Sequence, residues 1–288
     1  MIHLEAKNLT HIYGAGTPFE RSAICNVDFT ALRGECIGII GATGSGKSTF
    51  VQHLNGLLKP TSGNVYFEGR DIHESKEYTR QTRYKIGLVF QYPEYQLFES
   101  TVFDDIAFGP KNMGLNDNDV RDRVYEAAGF VRLDESLMDK SPFELSGGQK
   151  RRAAIAGVMA MMPEVLILDE PTAGLDPRGR DEIIYNIMGY KQAVDATLIF
   201  VTHNMEEIAR SAHKVFLFNK GRIIEEGTPE KVFTDTKRLY EIGLSAPKMT
   251  MVAARLRALG LPIPEDILTI EQLHKALTDI KKSTTSPT

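Results

Sequence analysis

Residues 41–48 read GATGSGKS, between the apolar run Cys36–Ile40 and a helical pattern over Ser48–Leu58. The octet fits G-x-x-x-x-G-K-[ST] through Gly41, Gly46, Lys47 and Ser48, in the strand–loop–helix context that gives the motif its meaning. Glycines let the backbone of Ala42, Thr43, Gly44 and Ser45 curl, so that successive N–H groups point at one polyphosphate. The start of the helix adds roughly half a positive charge. Lys47 then reaches the β- and γ-phosphates, and the Ser48 hydroxyl, with Thr49 behind it, is placed to ligate Mg²⁺. A glycine-rich turn without a ligand is the plain alternative, and it leaves the lysine and serine unexplained.

A loop of this kind needs a parallel sheet behind it. Strands are expected near Leu4–Thr10, Ile24–Leu32, Cys36–Ile40, Val65–Phe67, Ile86–Phe90, Val165–Leu168, Leu198–Val201, Val215–Phe218 and Ile223–Glu225. Helical patterns lie between most of these strands, such as Ser48–Leu58, Val120–Ala128, Gln149–Met161, Arg178–Gln192 and Glu206–Ala212. Several later strands are continuously apolar, as parallel strands covered on both faces are. The early strands alternate and read as an antiparallel patch. The fold class is therefore α/β with an antiparallel β subdomain.

The chain has 288 residues, 42% of them hydrophobic and 25% charged, which is a globular composition. Composition shifts near Lys237, and two helices around the break LPIPED predict a small helical appendage over 236–288 behind a main domain over 1–235. From Lys281 onward KKSTTSPT reads as a frayed tail. The most apolar run, residues 153–168, is cut by Pro163 and Glu164 and is too short for a membrane span. The N-terminus alternates like a strand and does not read as a signal peptide. A net charge of −4 argues against nucleic acid as the main partner. Cys25 and Cys36 lack C-x-x-C spacing and read as small buried hydrophobes in a reducing compartment.

EVLILDEP, residues 164–171, is an apolar strand ending in two carboxylates. Ligands bind at the carboxyl end of such strands. Asp169 is assigned to Mg²⁺, directly or through water, and Glu170 to orienting or deprotonating the attacking water. A solvated strand terminus is the bland alternative. His203 ends LIFVTH and is a candidate contact for the γ-phosphate and for Glu170. The other six histidines, at positions 3, 11, 53, 73, 213 and 274, show no metal-ligand spacing and carry no assigned role.

LSGGQKRR, residues 145–152, supplies a second helix start suited to phosphate, with Ser146 and Gln149 at capping-box spacing. LSGGQ together with GATGSGKS, VLILDEP, AGLD and a strand-terminal histidine resembles the ATPase subunits of ATP-binding cassette (ABC) transporters, over about residues 1–235. The resemblance implies a P-loop NTPase fold of the ABC type. It has a mainly parallel sheet with helices on both faces, an N-terminal antiparallel β subdomain and a helical signature subdomain over about 92–162. It also implies that two ATPase chains face each other head to tail. The signature of one, here Leu145, Ser146, Gly147, Gly148 and Gln149, closes on the γ-phosphate held by the other. It further assigns Asp176 to the loop crossing that interface, His203 to the switch, and Tyr13 to stacking on adenine. Gln91 is assigned to sensing Mg²⁺ and the water.

Gln91 opens an aromatic segment, FQYPEYQLFESTVFDDIAFGPKNMGL. Nearly throughout, it is similar to the energy-coupling factor (ECF) transporter ATPases, and other details look more like the second of their two paired ATPases than the first. The resemblance implies an ATP-hydrolysing subunit that powers uptake of a vitamin or transition-metal ion. A second ATPase chain, identical or paralogous, would complete each site. A transmembrane coupling subunit would dock at Gln91–Phe108, a substrate-binding membrane subunit would share the complex, and the chain would lie peripherally on the cytoplasmic face of the cell membrane. The patch Tyr92, Pro93, Tyr95, Leu97 and Phe98, with a rim of Glu94, Glu99, Asp104 and Asp105, suits a basic amphipathic helix. Packing of this segment against its own domain is the competing reading. Two other functions share the motifs: a conventional ABC importer ATPase, and a soluble mechanochemical ABC ATPase.

Overall fold

A computed structural model describes residues 1–285. Its strands are β1 (Ile2–Tyr13), β2 (Arg21–Leu32), β3 (Cys36–Gly41), β4 (Ser62–Phe67), β5 (Arg70–Asp71), β6 (Ile86–Val89), β7 (Val165–Asp169), β8 (Thr197–Val201), β9 (Lys214–Asn219) and β10 (Arg222–Gly227). The helices of the first two-thirds are α1 (Lys47–Leu54), α2 (Lys76–Lys85), α3 (Val102–Asn112), α4 (Asp117–Phe130), α5 (Gly147–Met159) and α6 (Pro177–Val194). Those that follow are α7 (Met205–Ser211), α8 (Pro229–Thr234), α9 (Thr236–Glu241), α10 (Lys248–Ala258) and α11 (Ile270–Thr285). No helix among the described residues is long and apolar enough to cross a membrane.

The chain divides into two compact units. One comprises Met1–Glu35 with Ser48–Val201; the other comprises Cys36–Lys47 with the chain from Thr202 onward. In the first unit β2, β1, β4 and β5 form an antiparallel sheet. Register shifts interrupt the β1–β2 ladder, and Asn8 and Asn26 take left-handed φ of 48° and 51° beside them. Asparagine tolerates that conformation better than a branched residue, so these are bulges that curl the ladder. Beside it β6, β7 and β8 run parallel, with Ile86 opposite Val165 and Val165 opposite Thr197. Every residue of these three strands is buried, as their unbroken apolar sequences require. Helices α3, α4 and α5 pack on one another, and α5 and α2 pack on β6.

In the second unit β3 pairs in parallel with β9, and β9 pairs antiparallel with β10. Farther on, α10 and α11 enclose a small core of Ala253, Ile263, Ile267 and Leu273. The break LPIPED lies between these helices as expected, but α11 runs through Thr285 where a tail is expected from Lys281. The rest of that expectation, residues 286–288, lies outside the described residues. The helix after the phosphate loop is shorter than its pattern, ending at Leu54 because Gly56 turns the chain at φ +73°. Cys36 is buried, whereas Cys25 is only half-buried.

Candidate functional site

The loop after β3 closes on itself. A β-carbon on Gly41 would lie 2.4 Å from the Phe218 carbonyl oxygen and 2.7 Å from Ser45 Oγ, so only glycine lets the chain pass there. Lys47 is buried, and its Nζ donates to the carbonyls of Gly41 at 2.7 Å and Ala42 at 3.1 Å. Ser45 Oγ lies 3.5 Å from the same nitrogen. Ser45 is buried too, its N–H donating to Ala42 O and its carbonyl accepting from Gly221 N–H. Thr43 and Gly44 face solvent, and Gly46 is half-buried. The ammonium is thus fixed against the loop's own carbonyls, which prepares a positive group for an anion without a rotamer search.

Ser48 opens the first turn of α1 and is exposed; Thr49 is half-buried and lies 3.3 Å, Oγ1 to OH, from Tyr13. Tyr13 stands edge-on to His11 at 4.5 Å and keeps much of its ring in solvent. The sequence-based assignments to Tyr13 and Thr49 therefore fall on neighbours.

Parallel pairing explains the next meeting. Val89 lies opposite Leu168, so two residues further along each chain Gln91 and Glu170 come level. Gln91 Nε2 donates to Glu170 Oε2 at 2.9 Å. Glu170 sits at a left-handed φ of 51°, and its N–H donates to Val201 O at 2.7 Å. A non-glycine residue held there is strained, and such strain concentrates at functional positions. Asp169, one residue earlier, is buried at the end of β7. With its amide nitrogen turned to Glu170, Gln91 offers its oxygen elsewhere. Ser48, Gln91 and Asp169 then supply hydroxyl, amide and carboxylate oxygens, a donor set that fits Mg²⁺. Asp176 caps α6 by accepting from Gly179 N–H at 2.7 Å, and His203 is exposed two residues beyond β8.

The signature forms a full capping box. Ser146 Oγ accepts from Gln149 N–H, and Gln149 Oε1 accepts from Ser146 N–H at 2.9 Å. Leu145 is buried, while Ser146, Gly147 and Gly148 are exposed. Apart from the chain neighbours and the helix's own backbone, no atom lies within 4 Å of where a β-carbon would stand on either glycine. The N-terminus of α5 therefore points its unpaired N–H groups into open space.

Arg151, two residues past Gln149, is a residue that sequence reasoning passes over. It is buried and forks onto Glu94, Nε to Oε2 at 3.0 Å and Nη2 to Oε1 at 2.7 Å. Its Nη1 donates to Ala173 O at 2.6 Å. One guanidinium thus ties α5 to the segments following Gln91 and Glu170. Its sequence signal is weak, because Lys150 and Arg152 flank it and only the folded helix turns Arg151 inward.

The aromatic segment splits its roles. Tyr95 and Phe98 are 84% and 59% exposed, and Tyr92 and Phe108 are partly exposed. Pro93 is buried and Phe103 packs toward Tyr125. Leu97, Phe98, Phe108, Gly109, Val158 and Met161 line a groove of about 580 Å³. The acidic rim expected around it is largely absent. Glu94 is spent on Arg151, Asp104 is paired with Lys111 at 2.8 Å, and Asp105 turns inward to accept from the N–H groups of Phe98 and Glu99. Burial pushes the Asp105 carboxyl up. Only Glu99 of the four carries no such engagement among the described residues.

Known proteins share this architecture. The family model described as ABC transporter matches residues 24–173. The energy-coupling factor transporter ATP-binding protein EcfA2 of Caldanaerobacter subterraneus subsp. tengcongensis is 54% identical over 269 residues, 93% of this chain and 94% of that protein. Among solved structures, cbiO1 from Clostridium perfringens, part of the ABC transporter complex cbiONQ, superposes with a TM-score of 0.74 at 37% identity. That match covers 90% of this chain and 98% of the other. The ATP-binding cassette MJ0796, solved as a dimer in a post-hydrolysis state bound to ADP and Pi, gives 0.71 at 27% identity over 78% of this chain and 98% of its own. With its phosphate loop, β7 carboxylates and exposed signature helix in one ABC fold, this chain belongs to the ABC transporter family, in the branch of energy-coupling factor transporter ATP-binding proteins.

Proposed function

We propose that this chain is the ATP-binding and ATP-hydrolysing subunit of an ECF-type importer, and that it works only when paired with a second ABC ATPase chain. The observation that carries the reading is the N-terminus of α5. It is capped, glycine-lined and open to solvent, and the sequence contains it once. A helix start built this way favours an anion from outside, and the γ-phosphate bound by a facing chain is that anion.

Gly41–Ser48 binds the phosphates of ATP, with Lys47 on the β- and γ-groups, and Tyr13 stacks on adenine. Ser48, Gln91 and Asp169 would hold Mg²⁺, which would supply charge neutralisation for the bound phosphates. Glu170 orients the attacking water and takes its proton, and Gln91 holds that carboxylate in place. His203 contacts the γ-phosphate, and Asp176 lies in the loop that meets the second chain. ATP stabilises the closed pair because both chains grip it; hydrolysis removes the shared group and the pair reopens. Such a swing needs about 5 kcal/mol of differential binding. A few charge-assisted hydrogen bonds at ~1.5–3 kcal/mol each suffice.

The groove beside Phe98 and Phe108 receives a short helix of a transmembrane coupling subunit, chiefly through apolar contact, since the rim has little free acid. A substrate-binding membrane subunit completes the complex at the cytoplasmic face of the cell membrane. The cargo is a vitamin or transition-metal ion.

Mixing two dead variants tests the pairing. Lys47→Ala removes the phosphate lysine and Ser146→Arg blocks the signature; each alone should lose ATPase activity. Mixed one to one, half of randomly formed symmetric dimers are mixed and carry one intact site, so activity should return to about a quarter of wild type. Wild type that is active alone, with no recovery on mixing, refutes the shared site. Wild type that needs a paralogous chain for activity moves the same test to that pair.

A further inference from the structure

Away from the nucleotide residues, His3, Glu68 and Glu164 converge, with one ligand atom of each within 4.8 Å of the others. The backbone builds this meeting. Leu4 pairs with Phe67 across β1 and β4, and the Glu68 N–H donates to His3 O at 2.9 Å. Thr197 N–H donates to Glu164 O at 2.9 Å. Glu68 is held at a left-handed φ of 50°. Glu164 directly precedes β7 while Asp169 ends it, so the cluster lies about 16 Å from the nucleotide carboxylates, five residues at ~3.3 Å each.

His3 is 1% exposed, and the tautomer of its ring follows from its partners. Nδ1 lies 2.8 Å from Thr197 Oγ1. That hydroxyl accepts from Gly34 N–H and spends its one proton on Leu32 O at 3.2 Å. With the hydroxyl proton directed to that carbonyl, which can only accept, Nδ1 is the donor and Nε2 carries a bare lone pair. Nε2 makes no hydrogen bond and stands 3.6 Å from Glu164 Oε2. A buried lone pair facing a carboxylate is repelled unless a cation lies between them. Two ligands at ~2.0–2.1 Å from one tetrahedral ion stand about 3.3–3.4 Å apart, close to this spacing. Ring nitrogen orientation by a hydrogen bond on the far side is also how metal-ligating histidines are held.

We propose that His3 Nε2, Glu68 and Glu164 Oε2 form a site for a divalent first-row transition-metal ion, for which the Arg33 guanidinium substitutes when no metal is bound. One imidazole and two carboxylates suit such ions. Arg33 Nη2 contacts Glu68 and lies 2.9 Å from Glu164 Oε2, so it already supplies positive charge to both carboxylates. Its side chain is 40% exposed and can swing into water. Lys85 holds the other oxygen, Glu164 Oε1, at 3.1 Å and need not move.

The test is zinc titration of the tag-free, chelator-stripped full chain without nucleotide, by calorimetry, with Co²⁺ as the visible-absorption probe of tetrahedral geometry. One zinc per chain is expected, retained in Asp169→Asn. His3→Gln should weaken it about 100-fold or more, since even outer partners of a ligand cost about 10–100-fold, and should abolish the cobalt bands. Arg33→Gln should tighten zinc, on the order of tenfold, because a competitor has gone. Glu68→Gln, whose side chain is more exposed than His3, gives the same loss if His3→Gln fails to fold. Absence of saturable zinc binding, binding unchanged in both ligand variants, or zinc weakened by Arg33→Gln overturns the proposal.

Discussion

Individual side chains here are set by what surrounds them more than by where they stand in the sequence. Gln91 and Glu170 were legible as separate candidates, but their 2.9 Å bond follows from parallel register, which one sequence does not print. His3 carries no signal in the sequence, because residues 3, 68 and 164 meet only through strand pairing. His53 makes the same point through its charge. Its ring is fully buried. Burial, aided by the neighbouring His11 and His73, outweighs the hydrogen bond to the Thr49 carbonyl and pulls its pKa from the ordinary 6.5 to about 4. His3 and His73 are also lowered by burial. Between those limits the unfolded chain binds a proton that the folded chain refuses. Stability is therefore full above about pH 6.5 and falls as pH drops toward 4. Denaturant unfolding measured from pH 7 to 4.5 should show this slope, and His53→Gln should flatten it. An unchanged slope would mean the ring is not kept neutral by the fold.

Elements with a strong period or a capping signature were readable, and the helices that were missed lacked one or carried a contrary signal. β3, β7 and β8 stand within a residue of expectation because unbroken apolar runs leave no other burial. Helix α5 begins at its capping box. By contrast α2, KEYTRQTRYK, buries only Thr82 and has no apolar stripe. It starts at the Ser75 cap and is laced by Arg80–Glu77 and by Arg70 over the Tyr78 ring. Helix α3 was obscured by Pro110, which reads as a stop yet lies inside it; its start, Thr101 accepting from Asp104 N–H, was there to be seen. Between elements, the fork from Arg151 to Glu94 is a buried bidentate tie. Burial works to raise the Glu94 carboxyl, but the Arg151 hydrogen bonds and charge hold it below the usual range. Glu94→Ala leaves a buried guanidinium without its counter-charge, which costs about 3–5 kcal/mol. Equilibrium denaturation should register that loss with an unchanged slope against denaturant. A loss below about 1 kcal/mol, the scale of an exposed pair, would show that water already reaches Arg151.

At the scale of the molecule, the phosphate loop and the signature told the fold class in advance because their backbone chemistry is local, whereas a partner's footprint is not. The segment after Gln91 shows the difference. Its aromatics were visible, but which of them face outward was not, and the acidic rim disappeared once Glu94, Asp104 and Asp105 found partners within the chain. Most exposed are Tyr95 and Phe98, and Phe98 lines a largely apolar groove with Phe108. Exposed aromatics that form a contiguous patch mark an interaction surface, and those that become buried there dominate its energy. Tyr95→Ala with Phe98→Ala should therefore leave the thermal midpoint and ATP affinity of the chain nearly unchanged. Loss of two central anchors at about 2 kcal/mol each should weaken capture of the membrane subunits on the order of several hundredfold. Co-purification from membranes and ATP affinity of the purified chain, measured side by side, separate the two effects. Full recovery of the complex would place the docking surface elsewhere, while a fall in midpoint would return these aromatics to the chain's own packing.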